Sequence, residues 1–250
     1  MYAKICRLVF VLMLILTAGC SVIPGNEASE QPKVIRIQLS TATNHWIPRI
    51  EECAGNLTNA GVIVEVRPTP ELDPAESDLL IRFGFKNPSE EHVSVLADER
   101  IVFITTPGNP LNAISMDSLS KMMSGEYTWW SDLAEFSEES EVYDLPIVLV
   151  SYGDGSDLRI ALNEIFDLKR TANSETYYAA SADFMIEVVR NTAGAVGYLL
   201  ESQLPADMIP LGISDPGMSE EIFERPVLAI SGQEPTGATR QLLLCLQNAD

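Results

Sequence analysis

Three short stretches combine hydroxyls and small residues with a helical pattern that follows: Ser40-Thr41-Ala42-Thr43, Gly155-Ser156-Asp157 and Ser181. The first two lie where an apolar, β-branched run gives way to helical spacing, and Ser181 stands just before another helical run. The first N–H groups of a helix have no partner inside it, and its aligned peptide dipoles place about half a positive charge there. Hydroxyls and helix-start N–H groups can therefore receive a small anion without a lysine. Gly155 allows a close backbone approach, and Ser156 offers a hydroxyl as well as a helix-start N–H. Asp157 adds a like charge beside any such anion, and Arg82 and Arg159 are the cations that would offset it. The plainer role of these hydroxyls is N-capping, which for Ser181 is the stronger expectation.

Other chemistries find little support. There is no Gly-x-Ser-x-Gly elbow, and no histidine stands near a nucleophile. Asp154 and Asp157 are close, but no second feature points to a glycosidase, so the chain is not expected to be an enzyme. His45 and His92 are far apart and have no Cys or His at ligand spacing, so neither a metal nor a cofactor is expected. The net charge is −20, with 36 acidic residues against 16 basic. That balance argues against nucleic acid and against polybasic membrane binding. The acidic runs 135–141 and 219–224 read as solvated faces.

The first twenty residues, MYAKICRLVFVLMLILTAGC, place Lys4 and Arg7 before an apolar run and small residues before Cys20. These are the parts of a secretory signal, and the run is short for a spanning helix. LTAGC resembles the lipobox of bacterial lipoproteins, which implies cleavage after residue 19, acylation of Cys20 and a membrane attachment through that lipid. Residues 20–32 are polar, with two prolines, and read as a tether. Cys53 and Cys245 remain in the folded part. Two buried thiols are the expectation, with a disulfide as the alternative in an oxidising compartment.

The elements that must position these residues follow from periodicity. Strands are expected at 34–39, 62–66, 78–83, 101–105, 147–150, 194–199 and 227–230. Helices are expected at 46–60 (ended by Gly61), 115–123, 157–166, 182–190 and 237–247. Residues 40–44 read as a loop. Trp129 and Trp130 are expected in the core rather than against a ligand. Strands alternating with helices indicate an α/β architecture with largely parallel sheets.

Residues 99–133, ERIVFITTPGNPLNAISMDSLSKMMSGEYTWWSDL, resemble the second lobe of phosphate-type periplasmic solute-binding proteins, through Asn109-Pro110, Ile114-Ser115, Ser124-Gly125 and Trp130-Ser131-Asp132-Leu133. PIVLVSYGDGSDLR resembles the strand-to-helix loop that the family writes as a basic residue followed by Asp-Gly-Ser-Gly-Thr. NTAGAVGYL resembles its Gly-Ala-Ile-Gly-Tyr strand. Two departures stand out: Tyr152 replaces the basic residue, and Asp157-Leu158 replaces Gly-Thr. The resemblance implies a two-lobe periplasmic-binding-protein type II fold, with the ligand cleft between lobes. The lobes would comprise 33–100 plus 205–250, and 101–204. It further implies an extracytoplasmic receptor on the cell membrane that delivers a small, phosphate-like anion to an ABC permease. The departures leave a second reading, a degenerate binding fold used as a surface sensor or interaction module.

Overall fold

Among the described residues the chain forms ten strands, the longer ones on apolar, β-branched runs. In chain order they are β1 (Lys33–Ser40), β2 (Ala60–Arg67), β3 (Leu79–Phe83), β4 (His92–Thr105), β5 (Ala113–Ile114), β6 (Val148–Tyr152), β7 (Thr176–Ala179), β8 (Ala195–Leu200), β9 (Gly212–Ile213) and β10 (Glu224–Ser231). The computed structural model describes residues 33–133, 144–168, 176–215 and 220–248. The signal, Cys20, the tether, the acidic run 135–141 and the start of the run 219–224 lie outside the described residues. Lys33–Asp250 forms one compact unit.

Eight strands share one sheet in the order β2-β1-β3-β10-β4-β8-β6-β7. β1 pairs in parallel with β2 and β3, and β6 pairs in parallel with β7 and β8. Between these parallel sets run β10 and β4, both antiparallel to their neighbours. β4 is the long element that joins the halves: 92–100 pair with β10, and 101–105 pair with β8. One strand thus serves two lobes, as in the two-lobe periplasmic-binding-protein type II fold. β3, β6 and β8 are buried along their whole length, as expected for inner strands covered on both faces.

Among the described residues five α-helices cover the sheets: α1 (Ile47–Gly55), α2 (Met116–Ser124), α3 (Asp157–Phe166), α4 (Ala182–Asn191) and α5 (Gly237–Gln247). Ser115 caps α2 by accepting from the Ser118 N–H. α4 lies close against β8 because Gly197 has no side chain; a Cβ there would stand 2.5 Å from Met185 Sδ. Trp130 is fully buried and donates from Nε1 to Gly194 O at 3.1 Å. Trp129 is about half exposed, so only one of the pair joins the core.

The structure departs from the sequence-based expectations at several elements. Residues 41–46 form a 3-10 turn rather than a loop, and the helix after it stops at Gly55, so Gly61 lies in β2 instead of ending the helix. The expected strand 101–105 is only the second half of β4; the charged residues Asp98, Glu99 and Arg100 hide the first half. β7 was not expected, since Tyr177 and Tyr178 are exposed and its pattern is weak. Leu211 bridges Phe103 and β9 pairs with β5, while β10 and α5 pack with β1, β3 and α1. Finally, Cys53 and Cys245 are not two thiols: they form a disulfide between α1 and α5, with Cα atoms 5.8 Å apart. The packing of α5 on α1 brings together residues that sequence spacing alone could not align.

Candidate functional site

The carboxyl ends of β1 and β3 present Ser40 and Phe83, and the carboxyl end of β6 leads into the Gly155-Ser156-Asp157 turn and α3. In open α/β sheets this is where ligands bind. Asp157, the first residue of α3, is 4% exposed. Its carboxylate accepts from Thr69 Oγ1 at 2.5 Å and from the Phe83 N–H at 3.0 Å, and Ser40 also hydrogen-bonds to it. All three donors come from residues 33–100, whereas Asp157 follows β6. Burial pushes the Asp157 carboxyl above its ordinary value; the bonds from Ser40, Thr69 and Phe83 and the charge of Arg82 oppose that rise without cancelling it.

The turn before α3 is equally constrained. A Cβ on Gly155 would stand 2.6 Å from Pro70 Cγ, so the 3-10 turn Thr69–Glu71 sits directly on this glycine. The loop carrying that turn is tied to the sheet by Gln38, whose Oε1 accepts from the Asp73 N–H at 2.7 Å. Ser156 is the N-cap of α3, but its hydroxyl makes no capping bond. Ser156 Oγ is buried and has no hydrogen-bond partner, with the residue 8% exposed. A buried hydroxyl left without a bond is costly and calls for an explanation.

The other candidate residues are used differently. Thr43 braces β1 to β3: its hydroxyl donates to Ile81 O at 3.0 Å and lies 3.2 Å from Ser40 Oγ. Thr41 is half-buried in the same 3-10 turn. Arg82 forms an ion pair with Glu90 at 2.9 Å and donates to Phe85 O at 2.8 Å, so its charge is largely answered within its own segment. Arg82 and Glu90 line a shallow cavity of about 420 Å³ beside Thr69. Arg159 is 1% exposed; Asp154 is 3.8 Å away, and the hydroxyl of Tyr198 is a further partner. Ser181 caps α4 by accepting from the Phe184 N–H at 3.2 Å. Tyr152 is buried beside Tyr198.

Thus Ser40, Gly155, Ser156 and Asp157 come together, Arg82 acts on Asp157 through its charge, and Arg159 and Ser181 serve the 101–204 segment. Two members of the site escaped the sequence. Thr69 sits in a Pro- and acid-rich loop with no motif, and Phe83 contributes a backbone N–H that no side chain announces. Among the described residues no group of three or more His, Cys, Asp and Glu side chains could hold a metal ion, and no helix is long and apolar enough to cross a membrane.

Residues 92–207 match the family model of a PBP superfamily domain. No curated protein matches the chain in sequence. A protein from Clostridium perfringens assigned as a phosphate ABC transporter substrate-binding protein, solved with bound phosphate, superposes with a TM-score of 0.71 at 18% identity, over 86% of this chain and 93% of that one. An ABC-type phosphate transport receptor from Vibrio cholerae gives a TM-score of 0.62 at 15% identity, over 86% and 94%. The regulatory domain of CcmR from Synechocystis PCC6803, in complex with 2-PG, gives 0.61 at 15% identity, over 86% and 96%. At these identities the likeness concerns the fold.

Proposed function

We propose that this chain, which has the phosphate-type periplasmic-binding-protein fold, is an extracytoplasmic receptor rather than an enzyme. In this reading it is held on the membrane by a lipid on Cys20, takes a small anion between its lobes and serves an ABC permease. The observation that supports it is the convergence, at one buried point, of Ser40, Thr69 and the Phe83 N–H from one segment with the α3 N-terminus and Ser156 from the other. Hydroxyls and N–H groups around a helix start suit an oxyanion. The Cys53–Cys245 disulfide agrees with an oxidising, extracytoplasmic setting. The test is calorimetry on residues 21–250, which contain the whole compact unit, with phosphate, sulfate, molybdate and small carboxylates. Binding of at least one with a dissociation constant of about 1 mM or tighter, some −4 kcal/mol, is expected. Silence across the panel, both for this protein and for its Asp157→Ala variant, rejects the anion reading.

A second reading is favoured by one feature: a carboxylate already stands among the donors. Under it the chain is a binding fold turned to a surface sensor or interaction module. It would then show no anion-induced closure in small-angle scattering.

A further inference from the structure

Three donors surround the Asp157 carboxylate, namely two hydroxyls and one backbone N–H, and all belong to residues 33–100. An ionised carboxylate only accepts hydrogen bonds, and the unprotonated oxygens of a tetrahedral oxyanion accept as well, so the two compete for the same donors. The carboxylate does not reach this point by accident of flexibility. It stands on the first residue of a ten-residue helix, on a turn pressed against Pro70, and is 4% exposed. Beside it, Ser156 Oγ is buried with no partner although it occupies the N-cap. The cleft therefore holds one filled set of donors and one idle donor, side by side. Arg82, whose charge acts on Asp157, is itself engaged by Glu90.

We infer that Asp157 is the resident anion of this cleft and its specificity-determining residue: its carboxylate occupies the oxyanion position, bridges the two segments and must leave before a free oxyanion can use Ser40, Thr69, the Phe83 N–H and Ser156. This rests on the reading of the cleft as an anion site. It makes the native protein a poor oxyanion receptor in which closure is supplied from within. A ligand that binds without displacing Asp157 would have to donate hydrogen bonds to it rather than accept them.

The experiment compares native protein, Asp157→Ala and Asp157→Asn, all as residues 21–250. Near-UV circular dichroism checks folding, small-angle scattering reads lobe separation, and calorimetry with inorganic phosphate at pH 7.5 reads affinity. Asp157→Asn keeps the shape and one acceptor oxygen while removing the charge, so the comparison survives if the alanine variant folds poorly. The expected result is a larger radius of gyration for Asp157→Ala without ligand, and phosphate affinity at least tenfold tighter than native, with Asp157→Asn between. Opening without any phosphate binding upholds Asp157 as the bridge and overturns the small-anion reading. Native protein that binds phosphate as tightly as both variants, with unchanged dimensions, overturns the inference and leaves the anion reading standing. Variants that neither open nor bind overturn both.

Discussion

Ser156 and Asp157 are neighbours with opposite accounts. The Asp157 carboxylate is satisfied by donors that lie far away in sequence, and the Ser156 hydroxyl is buried beside it with no bond. Leaving a hydroxyl unsatisfied in the interior costs about 1–3 kcal/mol. Replacing Ser156 by alanine removes that cost, and the N-cap loses nothing because the hydroxyl does not cap. The expected outcome is that Ser156→Ala is as stable as the native protein or more so, by up to about 1 kcal/mol, in urea denaturation. A serine that served only as a cap would instead lose about 1 kcal/mol on this change. A clear loss of stability would show that Ser156 has a structural bond in solution and would weaken its role as an idle donor.

β4 is the element on which both halves depend, and it carries Glu99 at the crossing. Glu99 Oε1 lies 2.9 Å from His45 Nε2 in the 3-10 turn Thr41–Trp46, and Ser202, in the turn after β8, also hydrogen-bonds to it. Burial pushes the Glu99 carboxyl up, but the bonds from His45 and Ser202 outweigh it and hold it below its ordinary value. A lowered carboxyl stabilises the fold above the unfolded value and loses that contribution as pH falls through the folded one. Asp157 is raised, so it acts with the opposite sign: its contribution is complete at acid pH and declines as pH rises from the unfolded carboxyl value through the folded one. Denaturation of native protein and Glu99→Gln from pH 7 down to pH 3 tests this. At pH 7 the variant is expected to be about 1–3 kcal/mol less stable, and the difference shrinks below about pH 4. A difference independent of pH would show that Glu99 acts by shape and not by charge.

At the level of the molecule, the disulfide and the crossing strand decide which part of the chain packs where. Cys53 and Cys245 are 192 residues apart, so the cross-link closes a loop that contains almost the whole folded chain. Such a bridge stabilises mainly by restricting the unfolded chain, by about 2–5 kcal/mol. It also fixes α5 on α1, next to Arg49, whose Nη2 donates to Cys245 O at 3.1 Å. Reduction, or the paired change of both cysteines to serine, is expected to lower the melting temperature by several degrees while leaving the sheet order intact. Because all the Asp157 donors belong to residues 33–100, the loss should spread to the cleft. Hydrogen exchange at the Phe83 N–H would report it, and unchanged exchange there would show that the disulfide and the cleft are uncoupled.

Much of this was legible in local pattern. β-branched runs marked the strand ends that carry Ser40 and Tyr152, a serine before an amphipathic run marked the starts of α2, α3 and α4, and Asp157 stood out as a charge in a turn whose helix-start N–H groups suit an anion. These features depend on neighbours a few residues away, and backbone propensity and helix-end physics act over that range. What Asp157 does could not be read there. Its partners Thr69 and Phe83 lie 88 and 74 residues away, one in a loop without a motif and the other through a backbone N–H common to every residue but proline. The first half of β4 was hidden by charges that its position at the crossing accommodates, and the two cysteines became a bridge only because α5 returns to α1. Local composition told where an anion would be welcome; the convergence of distant segments decided that the protein supplies one of its own.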